Sequence, residues 1–290
     1  MRDYVILTDS SCDLPAELAE KMGIRVVPLS VLVDGTEYMN YLDGREIGFK
    51  AFYDKIREGC TATTSAVNIA AFKEAMKAIV DEGKDVLYIG FSSGLSATVG
   101  AGINAARELS EEYPGSKIYA VDTLGASLGQ GMTVYYAAKK QQEGASIEEV
   151  RDFVEQRRLN QAHWFTVDDL NHLKRGGRIS PTTAAIGTML NIKPVMHMDN
   201  EGHLVAVGKV RGRKASLKEL VNSMEASVLP GENPTIFISH GDCLEDAEYV
   251  ASLVREKLGI DDIIINYVGP VIGAHTGPGV VALFFWASER

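Results

Sequence analysis

Four turns in this sequence hold more hydroxyl, carboxyl and imidazole groups than a turn needs. In VLYIGFSSGLSATVG, residues 86–100, Gly90, Ser92 and Gly94 have the G-x-S-x-G spacing of a nucleophile elbow, directly after an apolar run that reads as a strand. Ser92, Asp242 and His275 also follow the Ser, Asp, His chain order of α/β-hydrolases, so a serine esterase or lipase is the rival reading. The same stretch, with Ser93 and Ser96, can equally grip an anion with side-chain and backbone donors, or cap the helix that follows. TDSSCDLP, with Asp9, Ser10, Ser11 and Asp13, has the residues a helix N-terminus wants. TATTSAVN sets Thr63, Thr64 and Ser65 side by side, more hydroxyls than one cap requires. GPVIGAHTGPG holds His275 in a loop of glycines and prolines, where an imidazole is either a hydrogen-bonded structural group or a donor to a carboxylate.

Two features weigh against the hydrolase. An elbow follows a sheet already several strands deep and needs an oxyanion loop upstream, and no HGGG-like segment precedes residue 86. Asp242 and Cys243 stand where a helix begins, so Asp242 is explained as a cap.

The elements that must position these turns alternate along the first half. YVILTD reads as a strand, LPAELAEKMG as a helix, RVVPLSVLVDG as a strand and TEYMNYLDGREIG as a loop. FKAFYDKIREG and IAAFKEAMKAIVDEG read as helices, DVLYIGF as a strand, ATVGAGINAARELSEEY as a helix, KIYAVD as a strand and LGQGMTVYYAAKKQQEG as a helix. This alternation favours a parallel sheet with ligand-binding turns at its carboxyl edge. After about residue 160 the pattern changes, and DNEG between two apolar runs signals a hairpin, so a mixed sheet is expected there. The expectation is an α/β protein of two domains, 1–160 and 161–290, with a soft boundary.

Composition narrows the function. With 290 residues, 46% hydrophobic and 23% charged, the chain can bury a sizeable core. A net charge of -10 disfavours nucleic acid and anionic membranes as generic partners. MRDYVILTDSS runs straight into a strand without a signal-peptide core, which gives the expectation of a cytoplasmic protein. Cys12, Cys60 and Cys243 are scattered, which argues against a disulfide framework or a cysteine-rich metal site. Against the acidic background stand two basic clusters, Lys174, Arg175 and Arg178, then Lys209, Arg211, Arg213 and Lys214.

Taken together and in order, the segments TDSSCDLP, TTSAVN, SSGLSAT, DTLGAS, LKRGGRIS, LNIKPVMHMDNEG, VRGRKA, SHGD and GAHTGPG resemble the DegV family, whose members are similar to the fatty-acid-binding subunits of bacterial fatty-acid kinase. The resemblance spans nearly the whole chain. It implies a two-domain DegV-like fold that holds one long-chain fatty acid between its domains, with no other cofactor and no metal. It carries the carboxylate contacts to Thr64, Ser65, Ser96 and His275, with Ser93 a near neighbour. It also implies that a separate ATP-binding kinase subunit phosphorylates the bound acid, that Arg178 with Arg211 or Arg213 meets that subunit or the phosphoryl group, and that membrane contact is transient. Consistent with a binding subunit rather than a complete enzyme, no P-loop G-x-x-x-x-G-K-S/T occurs. TTSAVN stands where T-S-Q-P is usual and LSATVGAG where L-S-G-T is usual, departures that bear on the cleft's shape. A third reading, a sensor whose domains close on a polar anion, rests on the same turns.

Overall fold

The computed structural model describes residues 2–180 and 191–290; Met1 of MRDYVILTDSS, Leu190 of LNIKPVMHMDNEG and residues 181–189 of the expected second domain lie outside them. The first strands form a four-stranded parallel sheet in the order β2-β1-β6-β7, where β1 is Tyr4–Asp9, β2 Arg25–Val27, β6 Asp85–Gly90 and β7 Ile118–Asp122. Every residue of β6 is buried, as the continuous apolar run requires of a strand covered on both faces. A second sheet, β4-β3-β5, is antiparallel and contains Ser30–Val33, Thr36–Met39 and Ala62–Ser65 as β3, β4 and β5. Asp34 and Gly35 both have positive φ, 48° and 82°, so VDGT closes a tight hairpin where the sequence reading has a strand and then a loop. TATTS, read as a turn, is an edge strand paired to β3, with Thr64 opposite Val31.

The remaining strands form a six-stranded mixed sheet, β10-β9-β8-β13-β11-β12. Here β8 is Gln161–Thr166, β9 Ile192–Met198, β10 Leu204–Arg211, β11 Ile236–His240, β12 Ile263–Tyr267 and β13 Val281–Trp286. The DNEG hairpin is present, joining antiparallel β9 and β10 with Gly202 at φ 80°. Only β11 and β12 pair in parallel among these strands. The helix Ile147–Arg157 is additional to the sequence reading. Its signal is local: Ser146 and Glu149 form a reciprocal capping box, and Ile147, Val150 and Val154 recur on one buried face.

Two helices bring the sheets together. Leu128–Gln142 is buried nearly all round over its first eleven residues and packs against β1 on one side and β8, β11 and β13 on the other. A Cβ on Gly131 of this helix would lie 2.5 Å from the Cys12 carbonyl oxygen, so only glycine admits so close an approach. One apolar core thereby includes Ile6 and Leu87 from the parallel sheet with Phe237 and Phe284 from the mixed sheet. The helix Pro270–Thr276 occupies the stretch expected to be a loop around His275. Although late in the chain, it packs on β3, β5 and the helix Phe49–Arg57, and Tyr53 Oη donates to the Val268 carbonyl at 2.8 Å.

Candidate functional site

Between these elements lies a cavity of about 310 Å³. Phe91, Leu95, Phe165, Met198, Ile272 and Phe284 are among the side chains that make its wall apolar. That volume falls within the usual range for ligand pockets, and an apolar wall with a few placed polar groups is the usual composition of one.

One polar group is built around the helix Pro270–Thr276. Its register places His275 against β5, where the imidazole Nε2 lies 2.9 Å from Thr64 Oγ1. On the other side, the backbone of Gly176 covers the ring; a Cβ there would stand 2.2 Å from His275 Nδ1, which gives the glycine of LKRGGR its physical reason. Among the described residues Nδ1 has no hydrogen-bond partner. A buried N–H without a partner is costlier than an idle lone pair, so the favoured tautomer carries its proton on Nε2, donates to Thr64 and leaves the Thr64 hydroxyl proton free for a ligand. Burial, and secondly the Arg178 charge, pull the imidazole down to about 4, so it is neutral at neutral pH.

Arg178 closes the same group. Its Nε donates to the Leu95 carbonyl at 3.2 Å and its Nη1 to the Gly176 carbonyl, and the guanidinium lines the cavity half-buried. Burial draws its pKa down from the ordinary value, which leaves it charged. Next to Leu95, Ser96 also lines the cavity, with Oγ 2.9 Å from Thr98 Oγ1 and accepting from the Thr98 amide at 3.2 Å. The N-cap of the helix Thr98–Glu112 is Ala97, which offers no side-chain acceptor, and Ser96, one residue before it, accepts from the first helical amide while lining the cavity. Ser65 is exposed on β5 and contributes to the same wall.

Other expected residues stand elsewhere. Ser93 is exposed and outside the cavity wall, and its amide donates to Asp122 Oδ1 at 3.3 Å; of the two serines, Ser96 is the one that lines the cavity. Arg213 is held by Asp246 at 2.8 Å and the Gly279 carbonyl at 2.7 Å, so it braces the mixed-sheet half. Arg211 is exposed at the end of β10.

The three residues of the esterase reading do not assemble. Ser92 is fully buried, its Oγ donating to the Gly202 carbonyl at 2.9 Å and accepting from the Gly94 amide at 3.2 Å. Asp242 does not cap the helix Leu244–Leu258; it pairs with Arg57 and accepts from Tyr267 Oη at 3.1 Å. His275 is bonded to Thr64 instead. A fluorophosphonate probe is therefore expected to leave the protein unlabelled by mass spectrometry; an adduct on Ser92 would restore the hydrolase.

Sequence reasoning missed a second polar group in the cavity wall, formed by Ser127 and Ser239 with the buried carboxylate of Asp13 behind them. Both serines sit in segments already noted, DTLGAS and SHGD, but only the three-dimensional fold joins them. His163 lines the wall as well; its Nε2 accepts from the Ala126 amide at 3.2 Å, and burial holds it well below the usual imidazole range. Among the described residues no group of three or more His, Cys, Asp or Glu could hold a metal ion, and no helix is long and apolar enough to cross a membrane.

A parallel sheet and a mixed sheet joined by one buried helix, with a small antiparallel sheet that adds Thr64 and Ser65 to the wall of an apolar cavity, define a class of α/β proteins with an internal pocket. This chain belongs to the DegV family, an uncharacterised protein family matched over residues 3–288. It is 47% identical over 290 residues to a DegV domain-containing protein of Clostridium perfringens, covering 100% of this chain and 99% of that one. Among solved structures, a DegV family protein of Thermus thermophilus described for its fatty-acid binding superposes with a TM-score of 0.87 at 33% identity, covering 99% of this chain and 100% of the other. A DegV lipid-binding protein of Thermotoga maritima gives a TM-score of 0.86 at 29% identity, with 99% of each chain covered.

Proposed function

We propose that this protein is a cytoplasmic carrier of one long-chain fatty acid, with the acyl chain in the apolar cavity and the carboxylate at Thr64, Ser65, Ser96, His275 and Arg178. The observation that carries the reading is the single cluster in which His275, Thr64 and Arg178 meet on the wall of an otherwise mainly apolar cavity. The fatty-acid and lipid binding of the structural relatives supports the same ligand. Burial of roughly 14 methylenes at about 0.8 kcal/mol each sets an upper limit near 11 kcal/mol, from which association and ordering costs are deducted. The chain thus supplies affinity, and the polar cluster fixes which end enters and where its oxygens lie.

We further propose that the bound acid is the substrate of a separate ATP-dependent kinase subunit. One carboxylate oxygen attacks the terminal phosphorus of ATP held by that subunit, the bond to ADP breaks, and an acyl phosphate remains. Thr64 and His275 place the attacking oxygen, and the exposed Arg211 is the basic residue suited to meet an acidic partner face or the transferred group.

Native mass spectrometry against a denatured control tests the first step: after exposure to free fatty acids the folded protein is expected to carry one acid per chain. Ser96→Ala should lower affinity about tenfold, the low end for a hydrogen bond to a charged acceptor, while Ser93→Ala should match wild type. A ligand-free mass, or equal losses in both variants, would overturn the assignment.

A further inference from the structure

We propose that Ser239 and Ser127, backed by Asp13, form a second polar subsite of the cavity that takes a hydroxyl carried part-way along the acyl chain. This inference rests on the fatty-acid reading and adds to it a preference among acyl chains. Ser127 Oγ lies 2.6 Å from Asp13 Oδ2 and 3.0 Å from Ser239 Oγ, and both serines line the cavity. Asp13, Ser127 and Ser239 are all buried, so the group is not open to bulk water.

Proton counting shows what the group can offer. Ser127 has one proton to give. When that proton goes to an ionised Asp13, Ser239 donates to Ser127 and presents only lone pairs to the cavity. When Asp13 holds a proton, the chain of donors reverses and Ser239 has its proton free. Burial raises the Asp13 carboxyl to about 7, so both arrangements are accessible near neutrality. An alcohol, which both donates and accepts, satisfies either one. A methylene satisfies neither and leaves a hydroxyl facing hydrocarbon.

The backbone supports a built feature over an accident of packing. Ser127 has φ 53° and ψ −144°, a conformation in which glycine is cheapest, and it keeps a hydroxyl there. The position along the ligand also follows from the fold. Asp13 Oδ1 accepts from the Gly269 amide at the start of the helix Pro270–Thr276, and His275 lies six residues further on. At 1.5 Å per residue the backbone points that anchor the two polar groups, Gly269 and His275, are about 9 Å apart along that helix. With the carboxylate at His275, the subsite faces the chain's middle, not its head.

The test compares stearic acid with its α-, mid-chain and terminal hydroxylated derivatives by displacement of a fluorescent fatty acid, on wild type and Ser239→Ala. In wild type, a mid-chain derivative is expected to bind at least as well as the parent to within about threefold, with the α and terminal isomers about tenfold weaker than it. Ser239→Ala should lower the ratio of mid-chain to parent affinity about tenfold. Mid-chain derivatives all more than about tenfold weaker than the parent in wild type would overturn the inference without any variant. An unchanged ratio in a folded Ser239→Ala protein would also overturn it. Binding of the parent alone sinks only this inference, whereas binding of neither sinks the fatty-acid reading as well.

Discussion

Arg178→Ala is expected to weaken fatty-acid binding by about tenfold to a hundredfold, the range for losing a charge-assisted hydrogen bond of about 1.5–3 kcal/mol. Arg178 is the cationic group of the cavity wall beside His275, and the neutral imidazole cannot replace its charge. The guanidinium also ties Leu95 and Gly176 through their carbonyls, so part of the loss would come from the loosened wall. Arg178→Lys separates the two contributions: it keeps the charge but not the planar fork, and should fall between alanine and wild type. His275→Ala should cost less in affinity, about fivefold, because the imidazole gives its one proton to Thr64 and acts on the carboxylate only through that hydroxyl. Its larger effect should be on acyl-phosphate formation, since Thr64 would lose the partner that orients its hydroxyl. Arg211→Ala should reverse this pattern, with unchanged lipid affinity and slower turnover that converges with wild type as salt is raised. Displacement titrations and coupled turnover on the four variants give the comparison. Unchanged lipid binding in Arg178→Ala would show that the carboxylate lies elsewhere.

The parallel sheet, most of its helices and the β9–β10 hairpin were legible because each depends on short-range signals: apolar periodicity, caps and turn residues. The helix Ile147–Arg157 carries such a signal too, in the Ser146 and Glu149 box and the spacing of Ile147, Val150 and Val154. The site was legible only as residue types. Thr64 and His275 are 211 positions apart, and their contact exists because the helix Pro270–Thr276 packs back on β3 and β5. No local pattern encodes that return. Arg178 and Arg213 show the same limit in charge: both read as surface basic residues, yet one lines a cavity and the other is locked to Asp246. Asp13 resembled a helix cap because Asp before Pro is a common start, whereas its carboxylate is spent on Ser127 and Gly269, far along the chain.

That use of Asp13 gives the other large expected effect. Its side chain joins Ser127, which precedes the central helix, to the Gly269 amide at 3.0 Å, and its carbonyl accepts from Asn266 Nδ2 at 2.8 Å, so one residue ties the two halves together. Burial raises the carboxyl to about 7, and the neighbouring Asp9 charge adds to the rise. In the unfolded chain the same group ionises near its ordinary value of about 3.9. Between those values the folded state holds a proton that the unfolded state has lost. The contribution to stability is therefore fully present below about pH 4 and disappears as pH rises through about 7. Roughly three pH units at about 1.4 kcal/mol each make the difference on the order of 4 kcal/mol. Asp13→Asn keeps the shape, tolerates the left-handed φ of 51°, still accepts from Gly269 and can donate to Ser127. It should be more stable than wild type at pH 8, with the advantage shrinking or reversing towards pH 4. Asp13→Ala, by contrast, should be less stable than Asp13→Asn at every pH, because it leaves the Gly269 amide and Ser127 without their partner. Urea denaturation at pH 4.5, 6 and 8 measures this, and His275 and His163 titrate alike in wild type and Asp13→Asn, so they cancel in the difference. Parallel stability curves for wild type and Asp13→Asn would mean that Asp13 is ionised in the fold across the whole range.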